Sequence, residues 1–436
     1  RLISKGTSMA DTSFEETLFE ALTDESDSPG DLTDAARAHE AGSFLRHAGS
    51  LSMTKIADGL IDPKLVLSWL LTHLGASSLF VGLLVPIREA GALLPQLFAA
   101  PRVHAMARRK WAWVAGSVGQ GAAAAGIVLA ALTLSGAAAG TAICALLAVL
   151  AVSRSICSVS YKDILGKTVG KGRRGSAKGL ASSVGAGAVV LFALLLMSGW
   201  ISRVGLVIGA VSLAAILWGC AALLFSTLHE DPAPGEAGEG AMLGQLSLLR
   251  EDPQLTRFIL ARGLLTATAL APPYLVLLGA QAGQGTFDRL GALVLASSIA
   301  AFLSSYIWGR IADRSSRKVL ILSGLVGGVA LAGAVALDLA GLSGTIWALP
   351  LVLFTLMLAY HGVRQGRSTY LVDMAPEDRR AAYTAVSNTV IGIVLLGSGL
   401  FGALASIAGA VVTLTAFAAM SLAAVWVAYG LDEVEG

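Results

Sequence analysis

GRIADRSSRK (residues 309–318) places four basic residues and one acid between two apolar runs, AFLSSYIW (301–308) and VLILSGLVGGVALAGAVAL (319–337). A cluster this dense is costly inside hydrocarbon, and the run after it is long enough to cross a bilayer as a helix. The stretch therefore reads as a loop between two membrane spans. Its bases mark the side of the membrane on which it lies.

The rest of the chain repeats this pattern. Its 436 residues are 55% hydrophobic and only 14% charged, and the mean hydropathy is +0.73. A soluble domain is about one quarter charged, so the composition specifies an all-α polytopic membrane protein. The 50 glycines would weaken helices in water but let helices approach closely in a bilayer. Twelve spans are expected: 43–72, 78–100, 111–134, 137–160, 177–199, 203–227, 256–280, 288–309, 319–341, 345–365, 382–404 and 409–430. The first is the most polar of them.

Charge asymmetry supports that count. The loops 101–111, 161–179, 309–319 and 361–380 carry 4, 6, 4 and 4 Lys or Arg. The opposite turns carry only Lys64, Arg203 and Arg289. The basic loops are thus expected to be cytoplasmic, with both termini on that side. Residues 1–42 form an acidic cytoplasmic tail, with ten acids against one base over 11–40. Residues 1–8 precede Met9 and read as a non-native extension. Beyond residue 40 there are 28 bases and 19 acids. A Pro/Gly/acid-rich stretch, HEDPAPGEAGEG (229–240), marks a linker over 228–255. It separates a six-helix bundle at 43–227 from a second at 256–431.

The two halves resemble each other. Arg109-Lys110, Gly116 and Gly119 recur as Arg317-Lys318, Gly324 and Gly327 at an offset of 208. Arg154 and Asp163 recur as Arg364 and Asp373 at 210, and Pro63 as Pro272 at 209. A near-constant offset is the mark of a duplicated unit in parallel orientation.

With that architecture in view, the opening stretch resembles the loop signature of the major facilitator superfamily, Gly-xxx-Asp-Arg-x-Gly-Arg-Arg/Lys. Here it reads Gly309-xxx-Asp313-Arg314-x-Ser316-Arg317-Lys318, with Ser316 in place of the second glycine. Arg154 in LAVSRSICSVSYKD (150–163) is similar to the arginine of the superfamily's fourth-helix motif. The resemblance implies two pseudo-symmetric six-helix bundles and alternating access. In the first half the matching stretch is AAPRVHAMARRK (99–110), with Pro101 and Ala105 where Gly309 and Asp313 align. Drug/proton antiporters of the superfamily often carry a Gly-xxx-Gly-Pro-xxx-Gly-Gly run in the fifth helix. ASSVGAGAVVLFALLL (181–196) has no proline, so drug export is unsupported.

The residues suggest a cytoplasmic gate. Gly309 would allow close helix approach. Asp313 would accept hydrogen bonds from a neighbouring helix N-terminus. Arg314, Arg317 and Lys318 would pair with carboxylates across the seam or with anionic lipid; enforcing topology is the plainer role for the bases. Arg154, Asp163, Arg364 and Asp373 form a second symmetric set at the basic ends of the fourth and tenth spans. Arg173-Arg174 and Arg379-Arg380 follow the two acids and could pair there.

Ionisable residues deep in spans are candidates for the transport path. Lys55 and Asp58 share one face of the first span. Arg88 and Glu89 lie at the centre of the second. The four sum to zero charge, and pairing such as Asp58 with Arg88 and Lys55 with Glu89 would offset the cost of burial. Asp58 or Glu89 would then be a proton-titrating site, or all four a static lock. Arg262 in the seventh span would attract an anionic substrate or snorkel to the interface. Pro63 and Pro272-Pro273 break the first and seventh spans at matching places, as moving elements would require.

The expected function is a secondary active transporter of a small solute, proton-coupled, in the bacterial inner membrane. There is no Walker A sequence to couple ATP. No metal, cofactor, catalytic constellation or nucleic-acid partner is expected. Cys144, Cys157 and Cys220 read as packing residues. The alternative is a transporter-like scaffold without transport, recruiting a basic protein partner through the acidic tail.

Overall fold

A computed structural model describes residues 16, 19, 32–170, 173–232, 246–283, 289–312, 314–376 and 379–434. The chain crosses between two ends of a helical bundle twelve times. The segments are α1 (Glu40–Leu60 and Val66–His73), α2 (Ser78–Leu93 and Gln96–His104), α3 (Lys110–Thr133), α4 (Gly136–Thr168), α5 (Arg174–Ser198) and α6 (Arg203–Ser226). They continue as α7 (Pro253–Leu265, Ala267–Leu270 and Pro272–Gln281), α8 (Leu290–Ala312), α9 (Ser316–Leu339) and α10 (Ala348–Met374). The last two are α11 (Arg380–Gly397, resumed over 400–408) and α12 (410–429). Helices satisfy every backbone group internally, as a spanning segment must.

Among the described residues, nine helices are long and apolar enough to cross a membrane, and Ala382–Gly397 is a shorter apolar one. The other two spans are α1 and α10; α1 carries Lys55 and Asp58, and α10 carries Arg364 and Arg367. Two helical stretches within Leu400–Tyr429 meet at Gly409, which has φ +88° and ψ 169°. That left-handed backbone suits glycine. It folds the chain back in one residue, so 400–408 completes α11 against α2 and 410–429 returns along α9 and α7.

The breaks in α1 and α7 have local causes. Pro63 has no N–H to offer, and the Asp62 carboxylate accepts from Lys64 N at 2.8 Å and Leu65 N at 3.0 Å, capping the outer arm. In α7 the final arm starts with Pro272 and Pro273 at its first two positions, where missing N–H groups cost nothing. Its first arm is capped by Asp252, which accepts from Gln254 N and Leu255 N and is followed by Pro253.

Both described chain ends lie at the basic-loop end. Glu40 accepts from Gly170 N at 2.8 Å and pairs with Arg173 at 3.1 Å. Glu433 bonds Ser315 Oγ and lies 4.0 Å from Arg317. An even number of crossings requires this. The linker is described except for 233–245, and of the acidic tail before residue 32 only Glu16 and Phe19 are described. The Phe19 ring stands 5.3 Å from Phe44 at the base of α1.

The halves α1–α6 and α7–α12 meet at the end opposite the basic loops. A Cβ on Gly82 in α2 would stand 2.4 Å from Gly402 Cα and 2.5 Å from Tyr274 Oη. One on Gly291 in α8 would stand 2.8 Å from Ala193 O of α5. The α2–α11 contact reaches the middle, where Leu94 packs on Gly392. At the basic-loop end none of the ion pairs Arg109–Asp163, Lys167–Asp163, Arg173–Glu40, His229–Asp231, Arg317–Glu433 and Arg379–Glu251 joins one half to the other. The halves thus pack closely at the far end, and none of these ion pairs ties them at the basic end.

Candidate functional site

Three first-half helices bring charges together halfway along the bundle. Asp58 of α1 accepts from Arg88 Nη2 of α2 at 2.8 Å. Both its oxygens also contact Arg154 Nη1 of α4. Asp58 is 17% exposed and Arg88 13%. The carboxylate therefore bridges two guanidiniums, which compensates charges that would be prohibitive alone. The sequence suggests the Asp58–Arg88 contact. It does not suggest Arg154, which hydropathy places at the end of its helix. The helix in fact runs to Thr168, fourteen residues further, so Arg154 lies inside the bundle rather than in a gate at its end.

Lys55 and Glu89 do not pair with each other, and neither makes an ion pair among the described residues. Lys55 is exposed and lies in the field of Asp58, Arg154 and Arg364. Glu89 is half-buried; the charges acting on it are, in order, Lys64, Arg367, Arg88 and Arg364. Two of those four, Arg367 and Arg364, belong to α10 of the second half.

The second-half contribution is cationic. Arg262 of α7 is buried, with Nη1 donating to Ser387 Oγ at 2.7 Å and Nη2 to Asn388 Oδ1 at 2.9 Å. It does not snorkel to the interface. Tyr360, Arg364 and Arg367 stand at i, i+4 and i+7, on one face of α10. The Tyr360 ring has Lys64 Nζ of α1 at 3.4 Å and Arg364 Cζ at 5.9 Å. Lys64 was expected in an outer turn. It is instead 7% exposed at the α1 break, because Asp62 turns the chain inward there. Arg364 and Arg367 were counted with a basic loop over 361–380. That stretch is helix as far as Met374, so both arginines sit on α10.

Sequence reasoning missed Asp62, Lys64, Tyr360, Arg367, Ser387 and Asn388. The α10 face was legible, since Tyr360 and Arg367 flank Arg364 at helical spacing. Ser387 and Asn388 carried no signal, being ordinary polar residues in an apolar helix.

The expected gate residues are arranged differently from the symmetric scheme. Asp313 lies outside the described residues. Gly309 mediates no close approach: a Cβ there would meet nothing within 4 Å. Arg314 and Lys318 are exposed. Arg317 pairs within its own half, with Glu433 and with the Tyr429 carbonyl at 2.9 Å. Asp163 pairs with Arg109 and Lys167, not with Arg154. Asp373 is exposed, with no ion pair among the described residues. Glu230, just past α6, accepts from Arg109 N at 3.0 Å and Lys110 N at 2.7 Å, holding the N-terminus of α3.

No group of three or more potential metal ligands occurs among the described residues. No protein-family model matches the chain, and no curated protein matches it in sequence. Solved structures do match. A POT family transporter in complex with a thioalcohol-conjugated peptide superposes with TM-score 0.67 at 12% identity, over 88% of this chain and 94% of that one. The nucleoside transporter NupG superposes with TM-score 0.65 at 12% identity, over 89% of this chain and 98% of that one. Identity this low establishes fold and nothing finer. With the duplicated halves and the loop signature, it shows that the chain has the major facilitator fold, twelve membrane helices in two pseudo-symmetric bundles.

Proposed function

We propose that the chain is a secondary active transporter that moves a small solute by alternating access and couples it to protons at Glu89. One observation carries this reading. Glu89 is a half-buried carboxylate midway along the bundle with no ion-pair partner among the described residues, while cations of both halves act on it. Such a group can take a proton or attract the facing arginines, and the two compete. Asp58 is the poorer candidate, since Arg88 and Arg154 already occupy its oxygens. The close far-end packing of the halves, with none of the basic-end ion pairs among the described residues joining them, supports an arrangement open on one side only. The basic loops support a cytoplasmic opening, with both termini inside and the protein in a bacterial inner membrane. The solute would pass between bundles 43–227 and 256–431, joined by the linker 228–255.

Flux in proteoliposomes, with and without a pH gradient, tests this. Wild type should accumulate solute when the gradient is imposed. Glu89→Gln should lose gradient-driven accumulation and keep solute exchange. Equal response of wild type and Glu89→Gln to the gradient refutes the coupling site. No flux across a broad solute panel, with a partner protein co-purifying, would favour a scaffold.

A further inference from the structure

The duplication shows what the second half lacks. Arg154 and Arg364 are equivalent at the offset of 210. Asp58, which neutralises Arg154, has its equivalent at Ala267, by the offset of 209 that relates Pro63 to Pro272. So the repeated arginine keeps its carboxylate in one half and has none in the other. Among the described residues, Arg262 and Arg367 are likewise without a carboxylate in ion-pair contact. Arg262 rests on neutral oxygens only, and its Nε is buried with no hydrogen-bond partner.

The first half does not make up the deficit. Asp58 is committed to Arg88 and Arg154, and Asp62 to the backbone of the α1 break, where, of the cations Lys55, Lys64, Arg262, Arg364 and Arg367, it lies in the field of Lys64 alone. Glu89 is the one remaining carboxylate among the described charges here. Against it stand Arg262, Arg364, Arg367 and Lys64, with Lys55 nearby. Uncompensated charge in a low-dielectric space is costly unless a counter-ion completes it. A cleft lined by one sign of charge also concentrates ligands of the other sign. Tyr360 supplies an apolar wall, its ring already flanked by Lys64 and Arg364.

We infer that the solute is an organic anion, a carboxylate or phosphate monoester, held between Lys64 of α1 and Arg364 and Arg367 of α10 beside the Tyr360 ring. This rests on the transporter reading above and names its substrate class. The guanidiniums can each offer two parallel N–H donors to such a group. Lys64 adds a point charge from the opposite half. One ligand thus touches both bundles at the break in α1, the position from which binding can pull them together.

Equilibrium binding separates this inference from the transport reading. Full-length protein in nanodiscs is titrated with succinate and with glycerol 3-phosphate, and with succinamide and glycerol as their uncharged counterparts. Binding is read calorimetrically and as thermal stabilisation. At least one anion should bind, and neither neutral compound should. Arg364→Gln and Arg367→Gln should each weaken anion binding roughly 10- to 100-fold, the loss of a charge-assisted contact. Arg364→Lys should recover part of it, which guards against a folding defect in the glutamine variant. Which of the two anions binds separates the carboxylate from the phosphate source. Anion binding without flux in proteoliposomes leaves this inference standing and removes the transport reading. Flux of a neutral or cationic solute, with neither anion bound, does the reverse. Binding unchanged in both glutamine variants, or no anion bound at all, overturns the site.

Discussion

The two copies of one arginine have opposite surroundings. Arg154 is clamped on Asp58, which also takes Arg88, and the three tie α1, α2 and α4 into one block. Arg364 lies exposed on α10, with a tyrosine ring as its neighbour and no acid at the place duplication would put one. Both halves carry the cation; only the first gives it a partner that makes it structural. A charge already compensated inside its own half contributes rigidity, whereas an uncompensated one is available to something that comes and goes.

The sharpest way to break this contrast is to remove the shared acid. Asp58→Asn leaves two arginines unpaired in the bundle and should destabilise the protein by about 3–5 kcal/mol, seen as a large drop in the unfolding midpoint in nanodiscs. A small drop would mean that water already solvates the cluster. Next comes the pair of arginines. Arg154→Gln should cost about 3 kcal/mol, while Arg364→Gln should stay within about 0.5 kcal/mol. Equal losses would erase the distinction.

Writing the missing acid into the second half sharpens it further. Ala267→Asp should be better tolerated with Arg364 present than in an Arg364→Gln background, by about 1–2 kcal/mol in a double-mutant cycle. The smallest effect belongs to the basic end. Asp163→Asn should cost about 1 kcal/mol, because Arg109 and Lys167 lose a partly exposed partner. Asp373→Asn should change stability by less than about 0.5 kcal/mol. Comparable unfolding midpoints for these two variants would restore a symmetric scheme.

Much of the fold was legible from hydropathy and charge. The break after Pro63 and the boundary between 404 and 409 both correspond to features of the backbone, the latter to Gly409. Helix ends were less legible. Hydropathy reports where a helix leaves hydrocarbon, whereas α4 and α10 continue eight and nine residues past the expected 160 and 365, to Thr168 and Met374. That error displaced Arg154 and Arg364 from the interior to a supposed gate. The loop signature pointed to the fold but did not give the partners of its residues. The eroded first-half stretch is the better anchored, through Arg109–Asp163 and the Glu230 cap. The better-formed second-half copy gives Arg317 to Glu433. A sequence pattern specifies which groups are present, and their partners are chosen by whichever neighbour arrives in three dimensions.

The one-residue turn at Gly409 has a practical consequence. It lets α11 and α12 reverse with no protruding loop at the far end. Leu134 and Ser135 alone separate α3 from α4 on that face as well. An antibody fragment raised as an imaging fiducial finds little relief to grip at these two turns. At the opposite end, none of the ion pairs among the described residues bridges the halves. A fragment wedged between them would hold the molecule in this state, so its effect on flux would report whether that state must close during turnover.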